Sequence, residues 1–191
     1  MINHEHKFIF IHIPRTGGSS IEVQFNFLQA YGPKHWILND WEKTLAPELF
    51  NSYFKFSFVR NPWDCIISKY KDPYFSRNHQ GGLIGEKAGK SLKYFLEHYK
   101  TPKHEHGETF HDYFKPEQMD FVGRFENREN DLDYISKKIG VNIDKRIHMR
   151  KIQMQDKNKK RYTEYYDDRT RSIVAEKYAK DIEYFGYKFG E

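Results

Sequence analysis

The residues best suited to bind an anion form one short segment: Pro14, Arg15, Thr16, Gly17, Gly18, Ser19 and Ser20. Its two adjacent glycines allow successive backbone N–H groups to turn towards a phosphate, and a helix that starts here supplies further N–H donors. Arg15 adds a permanent positive charge. We therefore predict that the whole segment cradles a phosphate-like group.

A second candidate anion site pairs Arg60 with Ser68. Ser68 follows Arg60 by eight residues, which is just over two turns of a helix. A guanidinium and a hydroxyl at that spacing can bind one phosphate together. The alternative is an arginine in a surface ion pair and a serine on a solvated helix face.

Both segments follow apolar runs that are typical of strands. Residues 8–13 are apolar except for His12, which we expect to be buried and hydrogen-bonded, and every second residue of Phe54–Val59 is phenylalanine. A third strand is predicted at Asp120–Gly123. Predicted helices lie at about 20–30, 41–50, 62–70, 91–99, 129–139 and 167–185. Ser19 and Glu22 have the spacing of a capping box at the start of the first helix.

Strands that alternate with helices predict an α/β fold, which we expect to be P-loop-like, with three layers and a central parallel sheet flanked by helices. Ligands of such sheets bind at the carboxyl ends of the strands, so both anion segments should face the same crevice. The length favours one domain over residues 1–191, with a less regular insertion at about 71–118.

Composition narrows the class of protein further. The net charge of +5 indicates acidic partners, and one cysteine, Cys65, excludes an intrachain disulfide and a thiolate metal cluster. His104, His106 and His111 are spaced too loosely to predict a metal site. We find no run long enough to span a membrane and no apolar leader, so we expect a cytoplasmic protein.

Four blocks of the sequence carry a family resemblance: residues 11–20, residues 58–64 with Ser68, residues 121–127 and three short pieces within residues 165–187. The first block resembles the 5′-phosphosulfate loop of sulfotransferases, and the 58–64 block is similar to their 3′-phosphate motif. In this order, the blocks resemble the carbohydrate-type sulfotransferases, which include Golgi-type enzymes and bacterial relatives.

The resemblance implies a reaction. The donor would be 3′-phosphoadenosine 5′-phosphosulfate (PAPS), the acceptor a hydroxyl or amine of a carbohydrate-like molecule, and the product 3′-phosphoadenosine 5′-phosphate (PAP). No metal is expected, and the glycine and lysine pattern of a P-loop kinase is absent from the sequence. Residues 71–118 would then set the choice of acceptor.

The resemblance also suggests roles for single residues. Arg15 stands where the family usually has lysine, and we predict that it neutralises charge on the leaving phosphate. His35, between the two phosphate motifs, is the candidate base, the alternative being a loop histidine packed on Trp36. The resemblance also implies that three further residues lie near the nucleotide: Arg124, Lys159 and Lys160. The alternative for Lys159 and Lys160 is a solvated face of the basic run that contains them.

Two other classes of function stay open. A non-catalytic protein of the same fold could bind PAP or another polyanion, and Arg15 in place of lysine would favour it. A nucleic-acid-binding module is suggested only by charge and by the basic residues 157–161, and we expect no nucleic-acid partner.

Overall fold

A computed structural model describes residues 1–27, 32, 36–78, 80–100, 107–142 and 160–191 of the chain. The strands and helices of these residues, in chain order, are β1 (Ile2–Asn3), β2 (Phe8–Ile11), α1 (Gly18–Phe27), α2 (Leu38–Thr44), α3 (Pro47–Ser52), β3 (Phe54–Val59), α4 (Pro62–Lys71), α5 (Leu92–His98), α6 (Phe110–Tyr113), β4 (Phe121–Arg124), α7 (Arg128–Ile139), α8 (Asp168–Lys177) and α9 (Ala179–Phe185). Short 3₁₀ helices lie at Glu86–Ala88, Pro116–Gln118, Phe125–Asn127 and Tyr162–Tyr165.

The described strands form one sheet in the order β1-β2-β3-β4. Strands β2, β3 and β4 are parallel, with Phe10 opposite Phe56 and Phe58 opposite Gly123. The two-residue strand β1 pairs with β2 in the antiparallel direction. The predicted α/β fold with a parallel sheet and flanking helices is thus confirmed, although β1 was too short to be predicted.

The described chain divides into two compact units, Met1–Val59 with Phe110–Lys157, and Arg60–Thr109 with Asn158–Glu191. The first unit contains the sheet. One face of the sheet is aromatic, with the rings of Phe10 and Phe56 stacked at 5.1 Å between centroids, and it packs on Ile21 of α1 and Leu132 of α7. This packing is the one expected from the alternating phenylalanines of β3.

The second unit is built on α4, α5, α8 and α9. Its core joins Trp63 and Ile66 of α4 to Phe95 of α5 and to Val174 and Tyr178 at the end of α8. Among the residues that the structure describes, every helix is too short or too polar to cross a membrane. The single domain over residues 1–191, with its insertion at 71–118, stays a prediction.

Several predicted boundaries are wrong, each for a local reason. The first strand ends at Ile11, two residues early, and the helix predicted at 41–50 is two helices because Pro47 starts a new one. The last predicted helix breaks at Tyr178, whose backbone leaves the helical region at φ −105° and ψ 22°. The strand Phe54–Val59 is confirmed.

Candidate functional site

The candidate residues of the first unit follow the carboxyl ends of parallel strands. Residues 12–17 connect β2 to α1, and Arg124 is the last residue of β4. Arg60, which begins the second unit, directly follows Val59, where β3 ends. Because β2 and β4 both run parallel to β3, residues 12–17 and Arg124 leave the sheet at one edge, which is where ligands of α/β sheets bind.

The loop after β2 has an unusual backbone. Arg15 has a φ of +71° and Gly17 a φ of +86°, so a non-glycine residue occupies the left-handed region, which costs about 1–2 kcal/mol. Between them, Thr16 is fully buried and its hydroxyl donates a hydrogen bond of 2.9 Å to the carbonyl of Ile13. Strained backbone conformations of this kind are concentrated at functional sites. Here the two left-handed residues turn the chain sharply into α1.

A buried pair of side chains, His12 and Glu22, packs against the start of α1. His12 is 3% exposed and Glu22 is 7% exposed, and Nδ1 of His12 lies 2.6 Å from a carboxylate oxygen of Glu22. The other side of the imidazole faces Gly18, where a Cβ atom would lie only 2.1 Å from Cδ2 of the ring. Gly18 therefore allows α1 to begin directly against His12.

This pair confirms one prediction: His12 is buried and hydrogen-bonded. The helix start expected near Ser19 lies at Gly18, and one carboxylate oxygen of Glu22 contacts His12. The capping box of Ser19 and Glu22 stays a prediction. Ser19 and Ser20 are half-buried in the first turn of α1.

The segment that follows β4 lies against the same loop. A Cβ atom on Gly17 would lie 3.0 Å from Cδ2 of Phe125 and 3.8 Å from Cδ of Arg128. Arg128, the first residue of α7, is only 6% exposed. Sequence reasoning missed this residue, since its only signal was an arginine placed directly after the third family-like block.

Arg60 is held by its own helix. It is 8% exposed, and its Nε and Nη2 atoms donate hydrogen bonds of 2.9 Å and 2.6 Å to the same carboxylate oxygen of Asp64. The side chain of Asn61 caps α4 by accepting from the N–H of Trp63. Ser68 is half-buried on the same helix, and joint binding of a phosphate with Arg60 stays a prediction.

The remaining predicted site residues are exposed or lie outside the described residues. Arg124 is exposed, and its backbone N–H donates to Asp131 at 2.6 Å. Lys160 is exposed with its ammonium 5.9 Å from the ring centre of Tyr165. His35 and Lys159 lie outside the described residues.

Of the three loosely spaced histidines named above, His111 lies within the described ranges, and His104 and His106 fall outside them. It lines a cleft of the first unit together with Asn39 and Glu42 from α2 and Lys115 after α6. Within the described parts of the chain, no three His, Cys, Asp or Glu side chains are grouped to hold a metal ion.

Comparison with known proteins gives a consistent match. A family model described as "Sulfotransferase family" matches residues 1–188. Carbohydrate sulfotransferase 10 of Xenopus laevis is 21% identical over 98% of this chain and 66% of its own length, and carbohydrate sulfotransferase 14 of Danio rerio is 21% identical over 98% and 61%. An uncharacterized protein of Archaeoglobus fulgidus is 31% identical over 59% of this chain and 88% of its own length. The chain thus spans less than two thirds of the two vertebrate relatives.

Proposed function

Because this chain belongs to the sulfotransferase family, we propose that it transfers the sulfuryl group of PAPS to a hydroxyl or amine of a carbohydrate-like acceptor and releases PAP. The observation that carries the proposal is the loop after β2. Its left-handed Arg15 and Gly17, and the helix that begins at Gly18, form a turn suited to an anionic group.

The donor has two anionic ends, and we assign one set of residues to each. The loop of residues 14–20 binds the 5′-phosphosulfate with its N–H groups. Arg60 and Ser68 bind the 3′-phosphate, and the two hydrogen bonds to Asp64 orient the guanidinium of Arg60 in advance. Arg124, Lys159 and Lys160 add positive charge near the nucleotide.

In the transfer step, an oxygen or nitrogen of the acceptor forms a bond to sulfur while the bond from sulfur to the bridging phosphate oxygen breaks. The acceptor loses one proton, which we assign to His35, because a neutral imidazole is a suitable base near neutral pH. The leaving PAP gains negative charge on the bridging oxygen. Arg15 stabilises that charge. Electrostatic stabilisation of this kind is commonly the largest single contribution to catalysis.

The acceptor class rests on the names of the relatives, which are carbohydrate sulfotransferases. Within this chain, we assign acceptor choice to residues 71–118. The cleft lined by His111 and Lys115 falls at the end of that range and offers both charge and hydrogen-bond donors to a sugar.

Incubation with ³⁵S-labelled PAPS and a panel of glycans tests the proposal. We expect label in at least one glycan, release of PAP, and loss of transfer in Arg15→Ala. A folded protein that binds neither PAP nor PAPS would overturn the proposal. Binding without transfer to any acceptor would instead support the non-catalytic PAP-binding protein.

A further inference from the structure

Arg128 is a buried cation that the proposed function does not yet use. It is the first residue of α7, it is 6% exposed, and it belongs to the same compact unit as the loop of residues 14–20. Arginine is rarely buried to this extent in proteins, because its charge loses hydration. Charge interactions are also stronger where water is excluded, so a buried guanidinium beside an anion site contributes more than an exposed one.

The loop of residues 14–20 is close enough for Arg128 to share its ligand. Cδ of Arg128 lies 3.8 Å from the position of a Cβ atom on Gly17, and the guanidinium begins one bond beyond Cδ. Gly17 is the second left-handed residue of the loop, so the arginine approaches the loop where its backbone turns. The ring of Phe125 packs on the same glycine.

The electrostatics of Arg128 agree with this placement. Burial lowers the pKa of the guanidinium below its ordinary value, and the charge of the neighbouring Glu129 offsets this effect only in part. A further negative charge beside the loop would favour the charged form of the guanidinium. Binding of an anion there is therefore favourable for the arginine as well as for the loop.

We propose that Arg128 is a second cationic ligand of the group held by the loop, at the 5′ end of PAPS. This inference rests on the proposed function and deepens it. Arg15 and Arg128 then approach the loop from two different parts of the chain, one from within the turn and one from the start of α7. The planar fork of Arg128 can bind two phosphate oxygens at once.

Calorimetric titration with three ligands tests the proposal: PAP, adenosine 5′-monophosphate and adenosine 3′-monophosphate. For Arg128→Gln we expect affinity for PAP and for the 5′-monophosphate to fall about 10- to 100-fold, the value of a hydrogen bond to a charged group. Affinity for the 3′-monophosphate should be unchanged. The matched control is Lys137→Gln, which removes an exposed charge from the same helix and should change none of the three affinities.

The results of these titrations distinguish failure of the inference about Arg128 from failure of the proposed function. Unchanged PAP affinity in Arg128→Gln, or an equal loss for all three ligands, would overturn the inference while leaving the proposed function intact. A wild-type protein that binds no PAP would overturn both. If Arg128→Gln does not fold, Arg128→Lys keeps the charge but loses the fork, and it should show a smaller loss that is again confined to the two ligands with a 5′-phosphate.

Discussion

Substitution of Gly18 by alanine tests how the loop after β2 is supported. A new Cβ atom would lie 2.1 Å from Cδ2 and 2.4 Å from Nε2 of His12. Normal carbon contacts are about 3.5–4.0 Å, so the imidazole would have to move by roughly 1.5 Å. It cannot move freely, because it is buried and lies 2.6 Å from the Glu22 carboxylate.

The magnitude follows from these contacts. Overpacking of a buried site costs about 1–3 kcal/mol, and a displaced imidazole would also weaken its hydrogen bond to Glu22, a bond to a charged group worth about 1.5–3 kcal/mol. Alanine recovers at most about 1 kcal/mol of helix propensity. We expect a net loss of about 2 kcal/mol, or a fall in melting temperature of about 4–8 °C, measured by circular dichroism.

Two controls make the result specific. Gly82→Ala places its Cβ 3.3 Å from the side-chain oxygen of Asn78 on an exposed loop, so it should change stability by less than about 0.5 kcal/mol. In a His12→Ala background the obstructing ring is gone, so Gly18→Ala should cost little or nothing. An equal cost of Gly18→Ala with and without His12 would refute the steric explanation.

Three further predictions concern other residues. Arg15→Gly relieves the left-handed backbone, so it should change stability by less than about 1 kcal/mol but abolish transfer of ³⁵S-label, and retained turnover would contradict the role of Arg15. His35→Ala should lower kcat about 10²- to 10⁴-fold while calorimetric PAP affinity is kept, and a normal kcat would remove His35 as the base. Burial raises the pKa of Tyr178 well above its ordinary value, so above about pH 10 the phenol ionises in the unfolded chain but not in the folded protein. The free energy of unfolding should therefore be unaffected by Tyr178 below about pH 10 and should fall above it by up to about 1.4 kcal/mol per pH unit. Urea unfolding should show a smaller alkaline loss for Tyr178→Phe than for the wild type, and parallel losses would contradict this explanation.

The periodic parts of the fold could be predicted because their patterns repeat. The alternating phenylalanines of Phe54–Val59 specify both a strand and its buried face, and that face packs as expected. The break at Tyr178 could not be predicted, because Val174 and Phe185 keep a helical spacing on either side of it. Local spacing reports which residues share a face and does not report a single change of backbone angle.

The candidate site could likewise be predicted only in part. The glycines and the arginine of residues 14–20 indicated this loop from the sequence alone. The side chains that pack against the loop could not be predicted, because their partners are set by tertiary packing. Glu22 has the spacing of a capping residue, and one of its carboxylate oxygens contacts His12. Arg128 has the sequence context of a solvated helix start, and only the fold places it against Gly17.

The most direct test of the proposed function is a calorimetric titration of the wild-type protein with PAP, beside adenosine and the two adenosine monophosphates. We predict one PAP site per chain, weaker binding when either phosphate is removed, and the weakest binding for adenosine. Equal affinity for PAP and adenosine, or no binding of PAP by the folded protein, would contradict the proposed function.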